Sequence, residues 1–357
     1  MKHFVYVGSN TGPEKKGLRV IEVDGETGTF RETGCVEDAE FPIYLALSRD
    51  GQYLYAAEKC DESEPGADGR TGAVAVYRTR PGGAAPERLR RIPCAPTVPC
   101  HISLAPDGRT LCWAEYRNAW CGTFATDPAD GSLRGPLCAF HHEGHGPNAA
   151  RQESAHCHFA MATPEGDEVF VCDLGADLVA AYGLRPDGTL ERETANDFHA
   201  EPGAGPRHLA FHPNGRWVYL VTELTSTVVP LRREGRRLVQ TAPALPMLPA
   251  GFDGASKAAA IRISPDGTQL AASNRGHDSL AFFNIDPETG VPAPLAIRPL
   301  EGRFPRDFVF LPEGRILLVA HKLSNEFATY AYDPADASIR LVQRSEPMNQ
   351  PLCFLLG

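Results

Sequence analysis

The chain reads as an all-β protein, a seven-bladed β-propeller whose ring is closed by pairing of its N- and C-terminal strands. Three observations carry that expectation. A turn tripeptide recurs at blade-length intervals, a second set of turns runs in phase with it, and an apolar segment at the C-terminus supplies a strand that the repeats leave missing. One propeller domain is expected over residues 1–357.

The first set of turns is Arg49-Asp50-Gly51, Pro106-Asp107-Gly108, Pro164-Glu165-Gly166, Pro213-Asn214-Gly215, Pro265-Asp266-Gly267 and Pro312-Glu313-Gly314, spaced by 57, 58, 49, 52 and 47 residues. Asp or Asn followed by Gly closes a tight turn, because the side chain bonds its own backbone and glycine tolerates positive φ. Apolar runs flank each turn, as His208 to Phe211 and Trp217 to Val221 do around Pro213-Asn214-Gly215, so each joins two strands. Trp217 and Tyr219 read as inter-blade packing.

The second set lies near Gly25 to Gly28, Pro81 to Gly83, Asp127 to Gly131, Arg185 to Gly188, Arg233 to Gly235, Asp286 to Gly290 and Asp333 to Ala337. Seven outer hairpins against six inner ones imply one blade split between the chain ends. Gln350 to Leu355 is the expected innermost strand, paired with His3 to Gly8, which removes the open edge that an unclosed sheet would leave. Longer insertions fall at Cys60 to Thr71 and Phe140 to Ser154.

In a propeller the innermost strands line a central channel, so equivalent positions in different blades converge. Six residues before each first turn stand Ile43, Cys100, His158, Arg207, Ala259 and Arg306, with Leu352 as the seventh. Ten residues after the same point stand Lys59, Tyr116, Leu174, Glu223, Arg275 and Lys322. The first strand runs to the turn and the second returns, so both rings are expected on one face. His158, Arg207, Glu223 and Arg275 would then surround one anion-friendly site, where paired Arg207 and Glu223 could also serve only to hold neighbouring strands.

Other residues carry blander readings. His101 and His208 fall one residue past the ring and are expected on the opposite side of the strand, as core histidines, and His321 likewise. His141 and His142 read as loop residues. His156 and His158 share an i, i+2 spacing, yet no carboxylate or third histidine stands at a diagnostic distance, so no metal is expected and His158 is read as a proton carrier. The ten cysteines lack the short paired spacings of structural zinc and read as reduced core thiols.

A formal net charge of −10 argues against a nucleic-acid surface, which needs clustered Lys and Arg. No run of about 18 apolar residues suggests a membrane span, and the opening residues lack a secretory pattern, so a cytoplasmic protein with no membrane or nucleic-acid partner is expected. Oligomeric state is not legible.

Phe4 to Thr11, His142-Glu143-Gly144 through Gly146-Pro147-Asn148, Arg151-Gln152, His156-Cys157-His158, Cys172-Asp173-Leu174-Gly175, Asp177, Gly205-Pro206-Arg207-His208, and Ser264 to Gly267 leading to Ser273-Asn274-Arg275-Gly276 together resemble the lactonase seven-bladed β-propeller family, nearly end to end. That family includes propeller-type 6-phosphogluconolactonases and 3-carboxymuconate-lactonising enzymes. The resemblance implies a cofactor-free, metal-independent site in which His158, Glu223, Arg207 and Arg275 match residues implicated in the lactonising branch. Asn148 and Arg151 of the long loop, with Arg306 and Lys322, are expected to bind substrate.

The leading expectation is hydrolysis of a sugar-derived, anionic small-molecule lactone. His158 or Glu223 would activate water, Arg207 and Arg275 would stabilise the oxyanion, and Arg306 or Lys322 would hold a distal anion. Lactonisation of an unsaturated dicarboxylate by the same residues, and a non-catalytic propeller that displays loops to a partner, are the alternatives.

Overall fold

The computed structural model describes residues 1–12, 16–61, 63 and 68–357. Residues 62 and 64–67 of the Cys60 to Thr71 insertion lie outside the described residues. Strands form seven antiparallel sheets, here called blades. Blade 1 runs from Pro351–Leu356 at the axis through Lys2–Ser9 and Leu18–Asp24 to Phe30–Val36 outside. The other blades follow in chain order and begin, innermost, with Tyr44–Leu47 (blade 2), His101–Leu104 (3), Cys157–Ala162 (4), Pro206–Phe211 (5), Lys257–Ile263 (6) and Pro305–Phe310 (7). Each innermost strand packs on the next, and Pro351–Leu356 packs on Tyr44–Leu47 to close the ring.

Closure takes the expected form. The pairs Val5↔Leu356, Tyr6↔Leu355, Val7↔Phe354 and Gly8↔Cys353 join the two chain ends, so the last strand enters a sheet made by the first three. The third residue of all six first-set turns is glycine with φ between 68° and 75°, a conformation that favours residues without a Cβ.

Because sheets pack face to face around the ring, side chains of one strand point alternately to the two neighbouring blades. The second strand of each blade is therefore largely buried, as Trp217–Thr222 is throughout. Phe159, Phe170, Cys172 and Val179 of blade 4 pack against Leu209, Val218, Leu220 and Val229 of blade 5. Trp217 and Tyr219 pack on blade 6, with the Tyr219 hydroxyl donating to the Gly290 carbonyl at 2.8 Å, as the sequence suggests. Among the described residues no helix is long and apolar enough to cross a membrane.

Candidate active site at the channel mouth

The ring read from the sequence is built by a repeated backbone irregularity. In blade 4, Cys157 pairs with Asp173 and Phe159 with Cys172, which leaves His158 as the extra residue of a β-bulge. Arg207 between Pro206 and His208, Arg306 between Pro305 and Asp307, and Leu352 between Pro351 and Cys353 stand the same way. A bulge bends its strand and re-aims the side chain, here towards the axis.

This has a consequence for the next residue along. His101 and His208, placed by the sequence on the opposite side of the strand as core histidines, are buried as that reading expects, yet their rings meet each other at 5.4 Å and both touch Phe159. Tyr44 of blade 2 lies 6.0 Å from His208 of blade 5, a contact made across the channel between blades that are not neighbours. The bulge breaks strict alternation at His208, and His208, His101 and Tyr44 together plug the channel below the ring. His321 is a core histidine as expected, with Nε2 3.0 Å from the Tyr330 hydroxyl.

Both rings open on one cavity of about 920 Å³. Ile43, Cys100, His158 and Arg306 line it from the first ring, and Lys59, Tyr116, Glu223 and Arg275 from the second. Arg151 from the long loop and Asn10 to Gly12 from blade 1 complete much of the wall.

Glu223 is the hub. Its Oε2 accepts from Arg207 Nε at 3.0 Å and lies 2.7 Å from Arg275 Nη2, and its Oε1 accepts from Arg151 Nη2 at 2.6 Å. Burial alone would raise its pKa, but Arg275, Arg207 and Arg151 outweigh that and hold it well below the usual carboxylate range. A carboxylate with both oxygens engaged by guanidiniums is a poor base. Arg207 is similarly committed, donating also to the Ala259 carbonyl at 2.7 Å and lying 3.2 Å from His208 Nε2. Burial first, then Arg275, lowers its pKa to about 9, which leaves it charged at neutral pH.

Other groups keep unused valence. Arg275 donates through Nε and Nη2 to the carbonyls of Lys257 and Ala258 at 3.3 and 2.7 Å. Arg151 Nη1 and His158 Nδ1 are buried without a hydrogen-bond partner. Arg306 makes no side-chain hydrogen bond or ion pair among the described residues, although burial and Arg275 both disfavour its charge. Lys322 is close enough to be affected by Arg306 and Arg275, with burial the larger cause of its lowered pKa, and its Nζ sits 6.0 Å from the Phe304 ring. Burial, Arg207 and Arg306 keep His158 neutral.

The long loop departs from expectation in two places. Asn148 is exposed, accepts from the Ala150 N–H at 3.3 Å and does not line the cavity. His142 is buried rather than a loop surface residue, with Nδ1 3.0 Å from Asp173 and Nε2 2.7 Å from the Tyr182 hydroxyl, whereas His141 ends an outer strand and is exposed. His156 stacks on Tyr116 at 4.4 Å while His158 meets the same ring edge-on at 5.5 Å. Sequence phase put Tyr116 in the ring but gave no sign that its hydroxyl would accept from Arg151 at 3.2 Å.

A closed ring of seven four- or five-stranded sheets, with a buried arginine–carboxylate cluster beside its axial cavity, defines a seven-bladed β-propeller. The chain belongs to the lactonase, 7-bladed beta-propeller family, whose model matches residues 4–356. It is 31% identical to 6-phosphogluconolactonase of Bacillus subtilis (strain 168) over 99% of this chain and 97% of that protein. It is 28% identical to a 6-phosphogluconolactonase of Formosa agariphila over 92% of each. The solved periplasmic gluconolactonase of Pseudomonas aeruginosa superposes with a TM-score of 0.89 at 29% identity, covering 100% of this chain and 99% of that one. That relative is periplasmic, so family membership does not fix the compartment expected from the sequence.

Proposed function

We propose that the protein is a lactonase that hydrolyses a sugar-derived lactone bearing an anionic group, with 6-phosphogluconolactone as the model substrate. The observation that carries this reading is the convergence, in one axial cavity, of His158 with guanidinium donors that no protein acceptor satisfies. The names of the relatives supply the reaction class.

In this reading a water attacks the ring carbonyl and His158 takes its proton. A general base contributes about 10²–10⁴-fold. Arg275, aimed into the cavity and anchored by two carbonyls, receives the oxyanion, a contact that strengthens as charge develops. Glu223 acts as the anchor that fixes Arg151, Arg207 and Arg275, not as the base, and Arg207 positions it. Arg306, with Lys322 beside it, holds the distal phosphate or carboxylate through charge-assisted bonds.

The test is turnover of freshly prepared 6-phosphoglucono-δ-lactone and of glucono-δ-lactone, corrected for spontaneous opening. Turnover that prefers the phosphorylated lactone, with the preference lost in Arg306→Met, supports the reading. Spontaneous rates with both lactones would overturn it.

A further inference from the structure

A second cluster lies at the seam between blades 3 and 4, away from the cavity lining. Cys121, from the blade 3 strand Trp120–Thr126, and Cys157, from the innermost strand of blade 4, are both fully buried, and His142 joins them from the end of blade 3. Their two sulfurs and one imidazole nitrogen all lie within 4.8 Å of one another. Cys121 Sγ is 3.7 Å from His142 Nε2 and 3.7 Å from the Tyr182 hydroxyl, which is itself 2.7 Å from Nε2.

Zinc bonds of about 2.3 Å to sulfur and about 2.0 Å to nitrogen, at a tetrahedral angle, separate the two donors by about 3.6 Å. The observed spacing of Cys121 and His142 already matches that edge. His142 is also oriented as ligand histidines are: Asp173 Oδ2 takes its Nδ1–H at 3.0 Å, which leaves the Nε2 lone pair on the side of the Tyr182 hydroxyl and Cys121 Sγ. Asp173 is fixed in turn, because its Oδ1 accepts the backbone N–H groups of His156, Gly175 and Ala176 at 2.7, 3.0 and 3.1 Å. In the metal-free arrangement the Tyr182 hydroxyl donates to Nε2 and accepts from the Cys121 thiol, so all three groups already converge on one point.

We propose that Cys121, Cys157 and His142 bind one zinc ion that staples blade 3 to blade 4, with the Tyr182 hydroxyl at the fourth corner. Two thiolates and a divalent cation sum to zero charge, which suits a site with no solvent, and binding releases the two thiol protons. Two sulfurs and an imidazole suit zinc, whereas magnesium and calcium require oxygen ligands. Nothing in this proposal alters the lactonase chemistry. It adds a structural centre one residue from His158, on the same strand.

Because the site is closed, the test loads the metal during folding. The full chain is refolded with Zn2+ or Co2+, desalted and assayed for bound metal. The expected result is one ion per chain, with the Co2+ form showing the intense visible bands of a tetrahedral thiolate complex. Cys121→Ser and Cys157→Ser should lose both, while Cys172→Ser, a buried thiol outside the cluster, should keep them. Asp173→Asn retains an oxygen for the backbone caps but presents an N–H to Nδ1, which favours the wrong tautomer and should weaken zinc binding about 10–100-fold. Wild-type protein that refolds without retaining metal, retains it equally in the cysteine variants, or carries a Cys121–Cys157 disulfide would overturn the proposal.

Discussion

Replacing Glu223 by glutamine probes the hub directly. The substitution keeps the shape of the side chain and removes one charge from among three guanidiniums, of which those of Arg207 and Arg275 are 2% and 7% exposed. With its oxygen facing Arg207 and Arg275, the neutral amide accepts from both more weakly than a carboxylate does, and its NH2 group opposes Arg151 where Oε1 accepted. Breaking a buried ion pair by removing one partner costs about 3–5 kcal/mol, because the remaining charge has no water to turn to. At about 1.4 kcal/mol per tenfold, the unfolding equilibrium should shift by more than a hundredfold.

Urea unfolding followed by tryptophan fluorescence measures this shift, with Glu313→Gln as the control. Glu313 meets His3 at 2.8 Å on the surface, where an ion pair is worth about 0–1 kcal/mol. The sign with pH also follows. Glu223 has a depressed folded-state pKa, so its stabilisation is present above the unfolded carboxylate range and is lost as pH falls towards the folded value. The gap between wild type and variant should therefore narrow in acid. A loss no larger than that of Glu313→Gln would refute the hub.

Three further outcomes are expected. Glu58 is buried, its Oε1 accepts from the Tyr77 hydroxyl at 2.5 Å, and burial, only partly offset by Tyr77 and Arg91, raises its pKa from 4.5 to about 7. The folded state then holds a proton that the unfolded chain releases, so stability should fall by up to about 3 kcal/mol as pH rises from 4.5 through 7. Glu58→Gln should flatten that slope in pH-dependent urea midpoints, and parallel curves would contradict it. Arg306→Met should raise KM for a phosphorylated lactone far more than for its neutral analogue, read from paired Michaelis curves. Phe170→Ala, in the seam between blades 4 and 5, should cost about 3–5 kcal/mol in the same urea assay without changing KM.

The ring was legible because turns fix phase. Once Gly51, Gly108, Gly166, Gly215, Gly267 and Gly314 align, positions six before and ten after follow by counting, and eight of those residues line the cavity. The plug beneath was not legible. A bulge adds one residue without any compositional mark, so simple alternation misplaces His208, and nothing in the sequence marks its meeting with His101. Distances across the axis escaped as well: the bond from Arg151 to Glu223 joins residues 72 apart through a loop that carries no period. Cys121, His142 and Cys157 come from two blades at spacings that no short motif describes, so their meeting appears only in three dimensions.

The most direct test of the central claim, that the axial cavity is a lactonase site with His158 as the base, is kcat/KM for 6-phosphoglucono-δ-lactone in wild type and His158→Ala. The side chain is not part of the Glu223 cluster's bonding, so circular dichroism should report an unchanged fold. The account predicts turnover well above spontaneous opening in wild type and a fall of about 10²–10⁴-fold in the variant. Equal rates in the two proteins would contradict it.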